Sequence, residues 1–177
     1  MPRSEFDIMK AKRKASRSSS RIHTSIQQAE LILSLYDLRR EAVMREARSY
    51  IGGDFLPASA DELVAIVTGG GREGAFVLQV YGYWDMVAAF VRHGALTAAL
   101  VYDTCQEMYF QYAKIQPYLG EFRQQMNLPE WMMNLERLVE GSKEGRKRLA
   151  IMRKNLAAMA DLRATRPSAQ SAKSVKK

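Results

Sequence analysis

The sequence predicts an all-α fold, an irregular helical bundle of five or six helices around a central helical hairpin, with basic disordered ends. Two observations favour it. Apolar residues recur at three- and four-residue steps along most of the chain, which places them on single helical faces. Glycine or proline separates these stretches, as at helix ends. We expect one helical domain over 22–163. The tails at 1–21 and 164–177 hold too few large apolar groups to fold.

The central hairpin is predicted to extend from 74 to 117, with helices over 75–92 and 97–116. The chain is expected to reverse at Arg92–Gly94. Gly94 has no Cβ, so it can adopt the left-handed conformation that commonly ends a helix.

Each helix of the hairpin has one predicted buried face. These faces carry Phe76, Val80, Trp84, Val87 and Val91 in the first helix, and Val101, Thr104, Met108, Tyr112 and Ile115 in the second. Asp103, Glu107 and Lys114 fall on the opposite side of the second helix, so we expect them to face solvent.

The other helices follow the same periodicity. We predict them over 25–51, 60–67, from Pro129 to Gly141, and over 143–162, and 118–126 is a further short candidate. The first of them is expected to bury a stripe about seven turns long, made of Ile26, Ala29, Leu33, Tyr36, Val43, Ala47 and Tyr50. Ser59 and Glu62 form a capping box, which favours a helix over a strand at 60–67.

The composition limits the cellular location. Cys105 is the single cysteine, so no intramolecular disulfide can form. The N-terminal segment lacks the apolar stretch of a secretory signal. No apolar run reaches the roughly 18 residues needed to cross a bilayer. We therefore expect a cytoplasmic protein, and attachment to the face of the inner membrane stays open.

One stretch resembles a nucleotide-binding loop. Gly69-x-Gly71-x-x-Gly74 matches the dinucleotide fingerprint literally. The sequence over 63–74 is also similar to the opening of short-chain dehydrogenases. Aligned on that family, however, two required glycines fall on Glu73 and Ala75. A carboxylate at Glu73 would also repel a pyrophosphate. We interpret the loop as a connection between helices and keep a nucleotide-binding enzyme as an alternative.

The other residues that could form a functional site have few suitable neighbours in the sequence. His23 and His93 lack companions at metal-ligand spacing. Asp103 and Glu107 lie one turn apart, either as an acidic pair or, more commonly, as a solvated helix face. The aromatic residues of the hairpin are expected to pack in the core rather than to form a partner-binding groove. We expect no catalytic residue, no metal and no cofactor, and therefore no enzyme.

The basic ends are the main functional signal. Residues 1–21 hold 7 Lys/Arg against 2 acids, and 143–177 hold 11 against 2. Such segments bind polyanions by releasing counterions. The candidate contacts are Lys12, Arg13, Lys14, Arg17, Arg146, Lys147 and Arg148. We predict a non-enzymatic interaction module whose basic ends contact an acidic partner such as nucleic acid. The alternatives are an anionic membrane surface and a tail that only aids solubility.

A resemblance to a known family covers about 38–120. The shared features are two basic patches, an aromatic helix ending in Val-Arg-x-Gly-x-Leu, and a helix with an apolar–acidic opening. In this chain the basic patches are Leu38–Glu41 and Arg45–Arg48. The aromatic helix ends in Val91–Leu96, and the next helix opens with Leu100–Asp103. The chain resembles the bacterial domain of unknown function 4760. The resemblance implies a helical fold and assigns no activity. Many members begin with a membrane-spanning helix, whereas 22–36 is short and amphipathic here.

Overall fold

The computed structural model describes residues 25–165, with side chains described as far as residue 160. Within that range the secondary structure is helical, without a strand. A helix over 25–38 (α1) precedes α2 (Ala42–Gly53), α3 (Ala60–Thr68), α4 (Arg72–Arg92), α5 (Ala98–Thr104), α6 (Gln106–Ile115), a 3-10 helix (Gln116–Tyr118), α7 (Leu119–Met126), α8 (Met133–Glu140) and α9 (Lys143–Thr165). The all-α prediction is confirmed, and the predicted number of helices is too low.

The chain divides into two compact units, 1–45 and 46–177. The predicted disordered tails fall largely on 1–24 and 166–177, outside the described residues. The predicted domain boundaries stay predictions, although α9 continues to Thr165, past the predicted helix end at 162.

The predicted first helix over 25–51 is wrong as a single element. α1 ends at 38 and α2 begins at Ala42. Between them, the amide of Arg39 donates to the carbonyl of Tyr36 at 3.2 Å, and the amide of Arg40 donates to Asp37 at 2.9 Å. Such bonds between residues three apart tighten the chain out of the α-helical path.

This interruption shifts the buried face of the first unit. Ile26, Leu33 and Val43 were predicted to be buried but are 52%, 65% and 51% exposed. The buried residues of α1 include Ile32 and Leu35. The predicted stripe assumed one uninterrupted helix, and a break of a few residues changes which side chains share a face.

The hairpin's first helix and turn are confirmed. α4 covers the predicted 75–92, and its predicted face is buried except at Val91, which is half-buried. Gly94 has φ +77°, in the left-handed region. The amides of Ala95 and Leu96 both donate to the carbonyl of Phe90. The chain therefore turns where predicted.

The second helix of the hairpin is two helices rather than one. Cys105, at φ −116° and ψ 50°, separates α5 from α6. The hydroxyl of Thr104 donates to the carbonyl of Leu100 at 2.7 Å. A threonine that bonds back one turn often bends a helix, so Thr104 gives a local reason for the break. Cys105 itself is buried, as expected of a small apolar side chain.

Lys114 is buried, contrary to its predicted position on the solvent side. It is 5% exposed. Its ammonium donates to the carbonyl oxygens of Ile51, Gly52 and Phe55, the last at 2.9 Å. The carbonyls at a helix C-terminus lack partners within the helix and carry partial negative charge. Lys114 thus caps the end of α2.

α8 begins later than predicted. Residues 129–132 form a turn, and Met132 at φ +59° precedes the first helical residue, Met133. Asp85 of α4 accepts the amide of Leu135 and the side-chain amide of Asn134, both at 2.9 Å. A carboxylate at a helix N-terminus replaces missing partners and opposes the helix dipole. The cap of α8 therefore comes from a residue about fifty positions earlier.

Candidate functional site

The Gly69–Gly74 loop is a close corner between α3 and α4. Ser59 accepts the amide of Glu62 at 3.1 Å, which confirms the cap of α3. At the corner, Gly70 has φ +67°. A Cβ at Gly74 would lie 2.6 Å from the carbonyl oxygen of Ile66. These glycines permit close packing of two helices, and no strand precedes the loop in the described chain, so the dinucleotide match is coincidental.

A polar chain fixes α6 within the core of the second unit. The indole of Trp84 donates to Oε1 of Gln111 at 2.5 Å, and Nε2 of Gln111 donates to Glu107 at 2.6 Å. Arg48 binds both carboxylate oxygens of Glu107, at 3.0 and 2.6 Å. The hydroxyl of Tyr81 donates to the carbonyl of Gln111 at 2.9 Å. Sequence reasoning missed Gln111, because nothing local marks it as buried.

The predicted acidic pair does not form a common site. Glu107 is held by Arg48 and Gln111, whereas Asp103 is exposed and lies 3.4 Å from Arg148. Each carboxylate therefore has its own arginine partner, and the two do not converge on one site. The expectation that Glu107 belongs to a fully solvated face is also wrong.

The histidines do not form a site in the described range. His93 is exposed at the C-terminal end of α4, and His23 lies outside the described residues. Among residues 25–165, no group of three His, Cys, Asp or Glu side chains is placed to hold a metal ion.

α9 concentrates exposed basic residues in one helix. Lys143, Arg146, Lys147, Arg153 and Lys154 are exposed on it, and Glu144 is its single acid before residue 161. The carboxylate of Glu144 binds Arg148 at 2.8 Å. Because that acid is already paired, it offsets little of the field of the exposed cations.

Three of the seven predicted polyanion contacts lie in the described range, all on α9. Arg146 donates to the carbonyl of Glu140, and Lys147 is exposed. Arg148 is engaged more deeply, with the carbonyl of Tyr102 at 2.6 Å and two carboxylates. Lys12, Arg13, Lys14 and Arg17 lie outside the described residues. The role of all seven stays a prediction.

A cleft of about 220 Å³ lies between α6 and α9. Its polar lining consists of Gln106, Tyr109, Glu144, Lys147 and Arg148, and its apolar lining of Ile151 and Met152. We call this the α6–α9 cleft. The sequence singled out Lys147 and Arg148 as polyanion contacts, and its assignment of the hairpin aromatics to the core agrees with the burial of Tyr109. No signal in the sequence places α6 beside α9.

Tyr109 is the unusual residue of the α6–α9 cleft. Its side chain is 0% exposed, and among the described residues its hydroxyl has no hydrogen-bond partner. Burial raises the pKa of Tyr109 well above the ordinary value, the neighbouring Tyr102 raises it further, and Arg148 opposes both. The hydroxyl therefore keeps its proton at physiological pH and remains a donor without an acceptor.

α4 is long and apolar enough to cross a membrane by length and composition, and no other helix among the described residues is. The sequence predicts no apolar run of that length, so this prediction is wrong for α4. Half of its most apolar window is buried inside the protein, and Tyr81 and Trp84 within it are bonded to Gln111. Burial of this kind is typical of a core helix, and length and composition alone do not make α4 a membrane span.

A family model shows which protein family the chain belongs to. A model described as a domain of unknown function, DUF4760, matches residues 24–142. The chain belongs to this family. The match is longer than the resemblance seen over 38–120, and it ends one residue before α9 begins. The basic helix and one wall of the α6–α9 cleft therefore lie beyond the matched region of this DUF4760 protein. No curated protein and no solved structure matches the chain.

Proposed function

We propose that this DUF4760 protein is a non-enzymatic helical-bundle module, cytoplasmic, that contacts a nucleic acid through its basic C-terminal segment. The observation that carries the proposal is the row of exposed cations on α9, whose nearby acid Glu144 is already paired with Arg148. The sequence that follows, 166–177, adds four Lys/Arg and no acid. A helix that presents cations and is followed in sequence by further basic residues suits a phosphate backbone.

The contacts do not need base recognition. Lysine and arginine on an exposed helix bind phosphates as charges, and this sequence-independent component supplies most non-specific affinity. The described residues of the second unit contain no strand that could present stacking aromatics to bases. The proposal is therefore of backbone binding that tolerates many sequences.

The test compares two variants of equal charge. One replaces Arg146, Lys147, Arg153 and Lys154 by Gln. The control replaces four exposed cations outside α9, namely Arg40, Arg45, Arg92 and Arg137. Fluorescence anisotropy with a labelled single-stranded RNA and a labelled DNA duplex is measured at low salt. We expect the α9 variant to bind at least about tenfold more weakly, and the control to stay close to wild type. Equal losses in both variants would reject α9 as the contact surface.

A membrane surface is the second candidate, favoured by α1. Ile26, Leu33 and Tyr36 lie on one helical face and are exposed, and the basic residues 1–21 precede them. Exposed apolar residues next to a basic segment are typical of helices that lie in an anionic membrane interface. Co-sedimentation with vesicles containing phosphatidylglycerol tests this. Binding that survives Leu33→Ser would reject a contact through α1.

A further inference from the structure

We propose that the α6–α9 cleft is a binding site for a small single-ring organic acid. The cleft has both parts that such a ligand requires. Ile151 and Met152 supply apolar surface, while Gln106, Lys147 and Tyr109 supply polar groups. Small-molecule sites generally combine an apolar lining with a few polar groups that fix orientation.

The size of the cleft limits the ligand. Its volume of about 220 Å³ is below the roughly 300 Å³ at which drug-sized sites begin. It exceeds the roughly 150 Å³ of an apolar cavity that holds benzene. A single ring with one small polar substituent fills such a space. Met152 also offers a flexible thioether wall, which adapts to an aromatic ring.

The charges of the lining favour an anion. Glu144 and Arg148 bind each other at 2.8 Å, and Arg148 also donates to Tyr102. Lys147 is exposed, and no ion pair joins it to another described side chain. With two cations and one carboxylate, the lining has a formal charge of +1. A ligand carboxylate beside Lys147 completes the pairing.

Tyr109 gives an independent reason. A buried hydroxyl without a partner costs free energy, and native proteins contain few of them. The hydroxyl of Tyr109 has no partner in the described chain, and the residue lines the cleft. A carboxylate oxygen is an acceptor that accounts for this donor. Because Tyr109 is 0% exposed, the side chains that cover its hydroxyl have to shift when the ligand binds. The ligand is thus held by one charge and one hydrogen bond, with its ring against α9.

Benzoate is the probe, and the intact chain is titrated by ligand-observed NMR. We expect a Kd of about 1 mM or tighter, in keeping with a ligand of few atoms. Benzyl alcohol has a similar shape and no charge, so we expect it to bind at least about fivefold more weakly. Lys147→Gln and Tyr109→Phe are each expected to weaken benzoate about fivefold. Lys154→Gln, on the same helix but outside the cleft, is the control and is expected to change binding by less than about twofold.

The result can overturn the site. Absence of benzoate binding at about 10 mM, a concentration at which even a weak fragment site fills, would reject it. So would equal affinity for benzyl alcohol, or unchanged benzoate affinity in Tyr109→Phe. That variant removes a hydroxyl without a partner, so the fold should keep its melting temperature. Tyr109→Phe should also leave RNA binding unchanged, which separates failure of this site from failure of the nucleic-acid proposal.

Discussion

Lys114 illustrates how single side chains hold this molecule together. Its periodicity places it among solvent-facing residues, yet its ammonium lies buried against three carbonyls at the end of α2. The position of a neighbouring helix end decides its burial, and sequence spacing contains no such information. Gln111 is a similar case, since its partners Trp84 and Glu107 lie on two different helices.

Replacing Lys114 by Met should destabilise the fold substantially. The substitution keeps most of the side-chain volume but leaves the carbonyls of Ile51 and Phe55 without their donor. Buried groups that lose a charged partner cost about 2–4 kcal/mol in total. Urea unfolding followed by tryptophan fluorescence measures the change. Lys154→Met is the matched control on an exposed site, and a similar small effect in both variants would contradict the capping role.

At the scale of elements, helix existence was more predictable than helix continuity. α3 and α4 were predicted with nearly the observed bounds, because the Ser59 cap and the Gly94 turn are local signals. The breaks near Arg39 and at Cys105 contain neither glycine nor proline. The apolar periodicity alone therefore predicted continuous helices at both places. The α6–α9 cleft was not predictable either, because it depends on the packing of two helices distant in sequence.

Two glycines of α4 have different roles, Gly74 at the corner with α3 and Gly82 in the middle of the helix. In Gly74→Ala, the new methyl group would lie 2.6 Å from the carbonyl oxygen of Ile66, so the helices must move apart. We expect a loss of about 2 kcal/mol. Gly82 lies in the same helix, and a Cβ there would meet no heavy atom of another element within 4 Å. Gly82→Ala should therefore gain about 0.5–1 kcal/mol. Thermal unfolding of both variants checks the pair, and equal effects of one sign would contradict the packing role of Gly74.

For the whole molecule, buried tyrosines predict how stability depends on pH. Burial raises the pKa of Tyr81, Tyr109 and Tyr112, and at Tyr112 a hydrogen bond to Glu140 adds to the shift. Unfolding exposes these phenols to water, where they titrate near pH 10. The unfolded chain therefore releases protons that the folded chain keeps, and this favours unfolding above pH 10.

We expect stability to be nearly constant from pH 8 to 9 with respect to these phenols and to fall as the pH rises above 10. Each tyrosine contributes up to about 1.4 kcal/mol per pH unit. Urea midpoints from pH 8 to 11.5 measure the slope, and Tyr109→Phe should make it shallower with little loss at neutral pH. A midpoint that stays constant up to pH 11.5 would contradict the burial of all three phenols.

The central claim concerns α9, and the salt dependence of RNA binding tests it most directly. Each phosphate that a cation neutralises contributes about −0.7 to the slope of log K against log salt for single-stranded RNA. Loss of Arg146, Lys147, Arg153 and Lys154 should therefore make the slope shallower by about three. A slope that is unchanged in this variant, or wild-type binding that is insensitive to salt, would contradict nucleic-acid contact through α9.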